Sequence, residues 1–294
     1  MTNTITTSPP PASPPPELSS GARTTVRVGL VVAAAVLLVG VLVALAGVAF
    51  GISRFRVVAE SSALPDTLRT LEIDIDSAPA AVRIRSDRSV DEPRVDMRMI
   101  DSSRSDARPL SVSADGTSAR VSVDPVSSEL LRRARAGEIT IVVPDEMARR
   151  LTVTVRQEMG AVFADADLDQ LTAHVREGAV VLGGSARRID IDNDNGEVVS
   201  RRPISVTESF RAATATGDID VEFTDVPETV DVETRTGDID LTVPLPGPFL
   251  VNATTGDERG ATVVKVPQTR DAGEATAVIT ARSDTGDVVV DDRN

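Results

Sequence analysis

The sequence predicts an all-β repeat domain, a β-solenoid with coils of about 20 residues, preceded by one transmembrane helix. Three observations predict this fold. Apolar and polar residues alternate through much of the chain, glycine recurs at nearly constant intervals, and one long segment near the amino terminus carries no charge. Alternation at every position is typical of strands with one buried face, and a fixed period of this kind is typical of solenoids.

The uncharged segment comprises the 26 residues between Arg27 and Arg54. At about 1.5 Å per residue it is long enough to cross a hydrocarbon core of about 30 Å. A cleaved signal peptide is the alternative, because Ala44-Leu45-Ala46 resembles a cleavage site. The apolar run is longer than a signal-peptide core and continues past that site, so we predict a retained transmembrane helix at 28–52.

This helix divides the chain into four predicted regions. Residues 1–27 form a Pro-rich, disordered cytoplasmic tail, because the first part of the chain has almost no bulky apolar side chain to bury. Residues 53–66 form a linker, and residues 67–294 form the β-repeat domain. Arginines flank both ends of the apolar segment, so charge alone does not fix its orientation in the membrane.

The composition excludes several classes of function. The absence of cysteine excludes disulfides, thiolate catalysis and thiolate metal sites. The tail carries a net charge of +1 and the apolar segment none, so the total of −14 leaves −15 on residues 53–294. Such a surface repels nucleic-acid phosphates, and we therefore expect no nucleic-acid partner.

Alternating runs begin soon after the linker. One interruption occurs at 127–137, where Leu130, Leu131 and Ala134 have helical spacing and Gly137 follows. We predict a short helix there. The alternating runs before the clearest repeats occupy 71–76, 82–85, 95–100, 121–123, 139–143 and 151–155.

From residue 151 onward the repeat is explicit. Thr-Gly-Asp-Ile-Asp occurs at 216–220 and again at 236–240, and Thr-Gly-Asp recurs at 255–257 and 285–287. Glycine at such a corner supplies a positive φ that other residues adopt only at a cost. The predicted structural turn residues are Gly160, Gly178, Gly196, Gly217, Gly237, Gly256 and Gly286.

Two architectures fit a unit of strand, Gly-Asp corner and strand. In a β-solenoid, like residues stack on like residues of the next coil about 4.8 Å away. In stacked β-hairpins, Gly-Asp would form the centre of a type II′ turn, with Thr236 opposite Ile239 and Val232 opposite Val243. The nearly constant intervals favour the solenoid.

The motif Ser/Thr-x-Thr-Gly-Asp-Ile/Val-x-Val/Leu is carried by 214–221, and closely similar runs lie at 233–241 and 282–290. Behind a single membrane anchor, this succession resembles the bacterial "putative adhesin" family of β-strand-repeat proteins, a domain of unknown function. The resemblance covers 67–294. It implies a right-handed β-helix-like fold on the outer side of a bacterial membrane, with no established reaction.

Aspartates recur at the predicted corners. In a solenoid, Asp218 would stack near Asp238 and Asp220 near Asp240, with Asp257 one coil further on and Asp287 beyond it. Like charges about 5 Å apart repel, so one interpretation is a bound Ca²⁺ at Asp218, Asp220, Asp238 and Asp240. The other is that the carboxylates are solvated or accept backbone N–H bonds at the turn. No complete calcium-loop motif occurs, and we expect no cofactor.

The remaining polar motifs favour structural roles. The arginine pairs at 149–150, 187–188 and 201–202 are expected to pair with nearby carboxylates rather than to bind an anionic ligand. His174 is the single histidine, and its surroundings in the sequence predict an ordinary strand.

These observations favour a protein that is not an enzyme. No nucleotide-binding, hydrolase or metalloprotease motif occurs, and evenly repeated aspartates lack the distinct environments that paired catalytic acids need. We expect a single-pass membrane protein with an extracellular C-terminal domain, adhesin-like or structural, that binds envelope polymers or a partner protein. One alternative is an envelope sensor or regulator that couples the external domain to the cytoplasmic tail. Another is a β-helix enzyme acting on polysaccharide.

Overall fold

The computed structural model describes residues 55–75, 79–102, 110–123 and 137–293, and these residues form an all-β structure. The predicted fold class is therefore confirmed at the level of an all-β protein. The described ranges contain nineteen strands and one short helix, α1, at Asp145–Ala148. The strands are β1 Phe55–Ala63, β2 Thr70–Ile75, β3 Ala80–Ser86, β4 Arg94–Ser102, β5 Leu110–Asp115, β6 Ser118–Val123, β7 Gly137–Val143, β8 Thr152–Asp165, β9 Asp167–Leu182, β10 Ser185–Asn195, β11 Val198–Ser200, β12 Ile204–Thr216, β13 Ile219–Asp225, β14 Thr229–Thr236, β15 Ile239–Val243, β16 Phe249–Thr255, β17 Thr262–Val264, β18 Ala277–Thr285 and β19 Val288–Asp292.

Several predicted features lie outside these ranges. The tail at 1–27 and the transmembrane helix at 28–52 are not among the described residues. Of the helix predicted at 127–137 only Gly137 is described, and it begins β7. No helix in the described part of the chain is both long and apolar enough to span a membrane. Most of the predicted linker at 53–66 is occupied by β1, which pairs with β4.

The strands that precede the corners lie side by side in one parallel ladder, called ladder A. Its order is β6, β2, β8, β9, β10, β12, β14, β18 and β16. Equivalent positions of successive repeats face each other, so that Ile189 pairs with Leu171 on one side and with Phe210 on the other. Like residues therefore stack on like residues along the ladder.

The residues that follow each corner form a second parallel ladder, called ladder B. Its order is β7, β3, β8, β9, β11, β13, β15, β19 and β17. β8 and β9 are long enough to pass through a corner and contribute to both ladders. Each repeat thus supplies one segment to ladder A and the next segment to ladder B.

These registers contradict the pairing of the hairpin alternative. Ile239 pairs in parallel with Ile219 on one side and with Val288 on the other, so Thr236 is not its ladder partner. The reason is geometric: each Gly-Asp corner turns the chain onto the next face instead of reversing it beside itself. Both strands of a repeat then hydrogen-bond to neighbouring repeats.

The spatial order of the repeats differs from their order in the chain at both ends. β2 and β3 lie between β8 and the later strands β6 and β7. At the other end, β18 and β19 lie between β14 and β15 on one side and β16 and β17 on the other. The last segment of the chain is therefore inserted one repeat before the end of each ladder.

The core consists of small aliphatic side chains that point inward from both ladders. Ile73, Val155 and Ile191 are fully buried and occupy equivalent positions of ladder A. The few buried aromatic residues include Phe210 and Phe223, whose rings meet edge to face with centroids 5.3 Å apart. Alternation in the sequence thus places one face of every strand in a narrow aliphatic interior.

Antiparallel strands cover the amino-terminal end of the ladders. β5 pairs with β6, β4 pairs with β7, and β1 pairs with β4. The outward side of ladder B therefore continues across β3, β7, β4 and β1. This extended polar surface contains the candidate site.

Candidate functional site

The Thr-Gly-Asp corners are the most regular feature of the molecule. At Gly217 the backbone has a φ of 143°, and a Cβ atom there would overlap the carbonyl oxygen of Gly196 in the preceding coil. Only glycine combines this backbone conformation with so close an approach to the preceding coil. Positive φ values also occur at the predicted turn residues Gly160, Gly178, Gly196, Gly237 and Gly286, but not at Gly256.

A column of buried polar side chains supports these corners from inside. Thr234 lies three residues before Gly237, is 3% exposed, and donates a hydrogen bond from Oγ1 to the carbonyl oxygen of Gly217 at 3.0 Å. Ser283 makes the same bond to Gly237 at 2.9 Å. The other buried donors of this column are Gln157 to Ala80, Asn193 to Gly178 and Thr214 to Gly196, and the partly buried Thr255 donates to Gly286. The first Ser/Thr of the repeated motif therefore supplies a hydrogen bond between adjacent coils.

One position in this column lacks a donor. Val175 is the ladder partner of both Gln157 and Asn193, and it is 3% exposed. The side-chain oxygens Oε1 of Gln157 and Oδ1 of Asn193 are buried without a hydrogen-bond partner. Beside Val175, fewer of the buried polar atoms in the column therefore have hydrogen-bond partners than at the later coils.

The corner aspartates bond to the backbone of the next coil. Asp218 Oδ1 accepts a hydrogen bond from the backbone N–H of Asp238 at 2.9 Å, and Asp238 Oδ1 accepts one from Asp287 at 2.8 Å. Asp287 Oδ1 accepts in turn from the N–H of Ala261 at 2.7 Å. These bonds offset the repulsion between stacked carboxylates and match the capping interpretation.

The predicted ladder neighbour Asp257 is not in this stack. Thr255 pairs with Ser283, so Thr255-Gly256-Asp257 stands two positions earlier in its coil than the other Thr-Gly-Asp motifs. Asp287 follows Asp238 directly, because β18 is inserted beside β14. The predicted order Asp238, Asp257, Asp287 is therefore wrong.

The second pair of candidate aspartates lies on the outward side of ladder B. Asp220 and Asp240 are register partners on β13 and β15. Desolvation between the flanking coils raises the pKa of Asp240, and the nearby charges of Asp220 and Asp291 raise it further. Among the described residues, no group of three or more His, Cys, Asp or Glu side chains could hold a metal ion, at these four aspartates or elsewhere.

The outward side of ladder A carries ion pairs that connect neighbouring coils. Arg187 contacts Asp169 and Glu208, both at 2.9 Å, and Arg188 contacts Glu208 at 2.6 Å. The hydrogen bonds from Arg187 lower the pKa of Asp169 and of Glu208. Arg211 of β12 lies between carboxylates of the two neighbouring strands, β10 and β14. This face is mixed in charge instead of uniformly acidic.

The other predicted arginine pairs differ from one another. Arg149 contacts Glu146 at 2.8 Å, and Arg202 contacts Asp165 at 3.2 Å. Arg201 instead lies over the ring of Phe163, 5.4 Å from its centroid. The single histidine, His174, lies in β9 and is 4.0 Å from Asp192 across the ladder.

A cleft of about 580 Å³ lies on the outward side of β1, β3, β4 and β7. Its basic residues are Arg83 and Arg85 from β3 and Arg98 from β4, and Thr140 of β7 lies among its lining residues. Arg83 also lies over the ring of Phe163, 4.2 Å from the centroid. We call this surface the arginine cleft.

The acidic residues of the arginine cleft already have partners. Glu138 accepts a hydrogen bond from Arg83 at 2.8 Å, and Asp96 accepts bonds from Ser61 at 2.7 Å and Arg94 at 3.1 Å. Glu60 accepts a bond from the backbone N–H of Leu110 at 3.4 Å. Arg85 and Arg98 are exposed and form no ion pair with any carboxylate of the described residues.

Sequence reasoning did not identify this cleft. The run Val-Arg-Ile-Arg at 82–85 predicts an alternating strand and no binding site. Its polar positions place Arg83 and Arg85 on one face, which was a usable signal of a basic surface. The presence of Arg98 in the cleft could not be predicted from the sequence, because it depends on the antiparallel pairing of β4 with β7.

Comparison with known proteins gives structural similarity only. No family model matches the chain, and no curated protein matches it in sequence. A "putative adhesin" from Bacteroides fragilis NCTC 9343 is 13% identical, with a TM-score of 0.47 over 81% of this chain and 97% of that chain. A "putative cell adhesion protein" from Clostridium sporogenes ATCC 15579 is 10% identical, with a TM-score of 0.30 over 81% and 100%. A "putative lipid binding protein" from Parabacteroides distasonis ATCC 8503 is 12% identical, with a TM-score of 0.34 over 80% and 97%.

Proposed function

We propose that the chain is a non-enzymatic, single-pass, membrane-anchored binding module of the bacterial cell surface. A helix at 28–52 would anchor it, residues 1–27 would form the cytoplasmic tail, and the β-repeat domain would face outward. Its role would be adhesin-like or structural, through binding of an envelope polymer or a partner protein. The arginine cleft is the observation that carries this proposal.

The cleft supports binding because its charges are not mutually satisfied. Elsewhere, arginines on the outward side of ladder A neutralise carboxylates of adjacent coils. In the cleft every lining carboxylate has a hydrogen-bond donor, while Arg85 and Arg98 lack a carboxylate partner among the described residues. Two cationic side chains facing an open cleft in an acidic protein are available to a ligand.

The finer fold that we propose is a right-handed β-solenoid. Parallel registers in both ladders, glycine corners stacked on one another and Asp-to-backbone bonds between coils support it. A solenoid buries a continuous core between coils and leaves long outward faces in water. Such faces suit a surface module that holds an extended ligand.

The absence of enzymatic activity is also part of the proposal. Asp218 and Asp238 are used to bind backbone N–H groups, which leaves little freedom for a catalytic role. Asp240 has a raised pKa, but its partner Asp220 lies at the equivalent position of the adjacent coil. A polysaccharide-cleaving pair would have two differentiated carboxyl groups facing a bound sugar.

Protease shaving of intact cells tests the display. With a tag at the carboxyl terminus, we expect protease to remove the tag and to leave a protected fragment of about the size of residues 1–52. A tag that is protected on intact cells and cut only after lysis would contradict the proposal. A tag cut from detergent-solubilised protein provides the accessibility control.

One observation favours an envelope sensor as a second candidate. Residues 59–61 of β1 line the arginine cleft, and β1 begins three residues after the proposed helix at 28–52. A ligand in the cleft would therefore contact the strand that leads into the anchor. Deletion of residues 1–20 should leave ligand binding unchanged in a binding module, whereas a sensor would also lose its cellular response.

A further inference from the structure

We propose that the arginine cleft binds an extended polyanion, a polymer that carries phosphate or carboxylate groups on successive units. This inference deepens the proposed function and rests on it. It names the ligand class and the residues that recognise it. Arg85 and Arg98 would each bind one anionic group, and Arg83 and Thr140 would line the path between them.

The distribution of charge selects an anion. Arg83 is held by Glu138, and the cleft's other acidic residues are bonded to Ser61, Arg94 and a backbone N–H. The charges left without an ion-pair partner among the described residues are therefore the two guanidinium groups of Arg85 and Arg98. Guanidinium groups bind carboxylate and phosphate oxygens through paired N–H donors.

The spacing of the two arginines suits a ligand with several linked anionic groups. Arg85 pairs with Val142 and Arg98 pairs with Glu138, so the arginines stand two strands apart and four residues apart along the strands. Strands about 4.8 Å apart with a rise of about 3.3 Å per residue place their Cα atoms about 16 Å from each other. Side chains that stand roughly perpendicular to the sheet keep the two guanidinium groups at a similar separation, so two linked anionic groups can each contact one of them.

The surface beside the cleft carries a further arginine, Arg201, without a carboxylate partner among the described residues. Phe163 of β8 lies next to Arg83, and Arg201 approaches the same ring. Arg201 also forms no ion pair with a carboxylate of the described chain. A polymer longer than the cleft would therefore continue from Arg98 past Arg83 toward a third cation.

Binding to defined polymers tests the inference. The full chain, purified in a nonionic detergent, is titrated by isothermal calorimetry with polygalacturonate and with long-chain polyphosphate. Galacturonate and inorganic phosphate serve as the matched monomers. We expect at least one polymer to bind, and to bind at least about 100-fold more tightly than its monomer, because linked groups engage the second arginine at high effective concentration.

Substitutions locate the binding. The double variant R85Q/R98Q should weaken polymer binding at least about tenfold, since one charge-assisted hydrogen bond is worth about tenfold or more in affinity. The control R150Q/R235Q removes the same charge from two exposed arginines outside the cleft, and should change affinity less than about twofold. Far-UV circular dichroism shows whether each variant has the parent fold.

Four results would overturn the inference. They are absence of polymer binding by the folded chain, equal weakening in both double variants, monomers that bind as tightly as polymers, and binding only to vesicles of phosphatidylglycerol. The test is separable from that of the proposed function. A chain whose tag is shaved from intact cells but which binds no polyanion keeps its surface display and loses this ligand, whereas a protected tag contradicts the display itself.

Discussion

Replacement of Thr234 by valine tests the bond that connects the coils at their corners. The Oγ1 atom of Thr234 is the side-chain donor to the carbonyl oxygen of Gly217, and the residue is almost fully buried. Valine keeps the shape and the branching at Cβ but removes the donor. The substitution removes a hydrogen bond worth about 0.5–1.5 kcal/mol. It also leaves the buried carbonyl oxygen of Gly217 without this donor, which costs about 1–3 kcal/mol.

The greater apolar character of valine offsets part of that cost. We therefore expect T234V to lower the free energy of unfolding by about 1–2 kcal/mol. For a folded unit of this size, the melting temperature should fall by about 2–8 °C. Thermal unfolding followed by far-UV circular dichroism measures the shift.

A neighbouring threonine gives the matched control. Thr236 lies two residues further along β14 and is exposed, so T236V should change stability by less than about 0.5 kcal/mol. The equivalent bond of Thr214 is longer, at 3.4 Å, so T214V should have an effect smaller than that of T234V. Equal effects of T234V and T236V, or a stabilising T234V, would refute the role of the column.

Three further predictions concern the same coils. G217A should destabilise the fold by at least about 3 kcal/mol, because the added Cβ meets the backbone of Gly196 in the preceding coil. The control G116A, at a φ of 57° with open space around it, should cost about 1 kcal/mol, and urea unfolding measures both changes. V175T should be nearly neutral, since its hydroxyl can bond to a corner carbonyl, whereas V232T should cost about 1–3 kcal/mol for an unpaired buried hydroxyl; comparable losses would exclude that bond. D240N should melt at a higher temperature than the parent at neutral pH. A carboxyl whose pKa is raised by folding destabilises the folded protein as the pH rises from the pKa of the unfolded state, about 3.9, through the pKa of the folded state. The difference in melting temperature between D240N and the parent should therefore vanish at pH values below that interval.

The features that could be predicted from the sequence are those set by local pattern. Alternation of apolar and polar residues identified the β structure, because each strand buries one face regardless of its neighbours. The recurring glycines identified the corners, because positive φ is a property of single residues. At Gly217 both signals coincide, and the structure places a corner there.

The candidate site could not be predicted in the same way, because it is assembled from distant strands. Arg85 and Arg98 are brought to one surface by β7, which pairs in parallel with β3 and antiparallel with β4. The alternation of each strand is compatible with either direction of pairing. The partner therefore decides which polar residues become neighbours, and no local pattern encodes that choice.

A motif longer than Thr-Gly-Asp distinguishes the last two corners of the chain. Gly286 is preceded three positions earlier by Ser283, which donates to Gly237, so β18 completes the corner of β14. Gly256 is preceded at that position by Ala253, which has no donor, although Thr-Gly-Asp is identical in both places. A coil placed on β14 in the register of Gly256 would leave the carbonyl of Gly237 without its side-chain bond. The residue three positions before glycine therefore distinguishes the Gly286 corner from the Gly256 corner, although their Thr-Gly-Asp letters are identical. In the 249–255 repeat the corresponding bond comes from Thr255, which is the register partner of Ser283 and donates to Gly286.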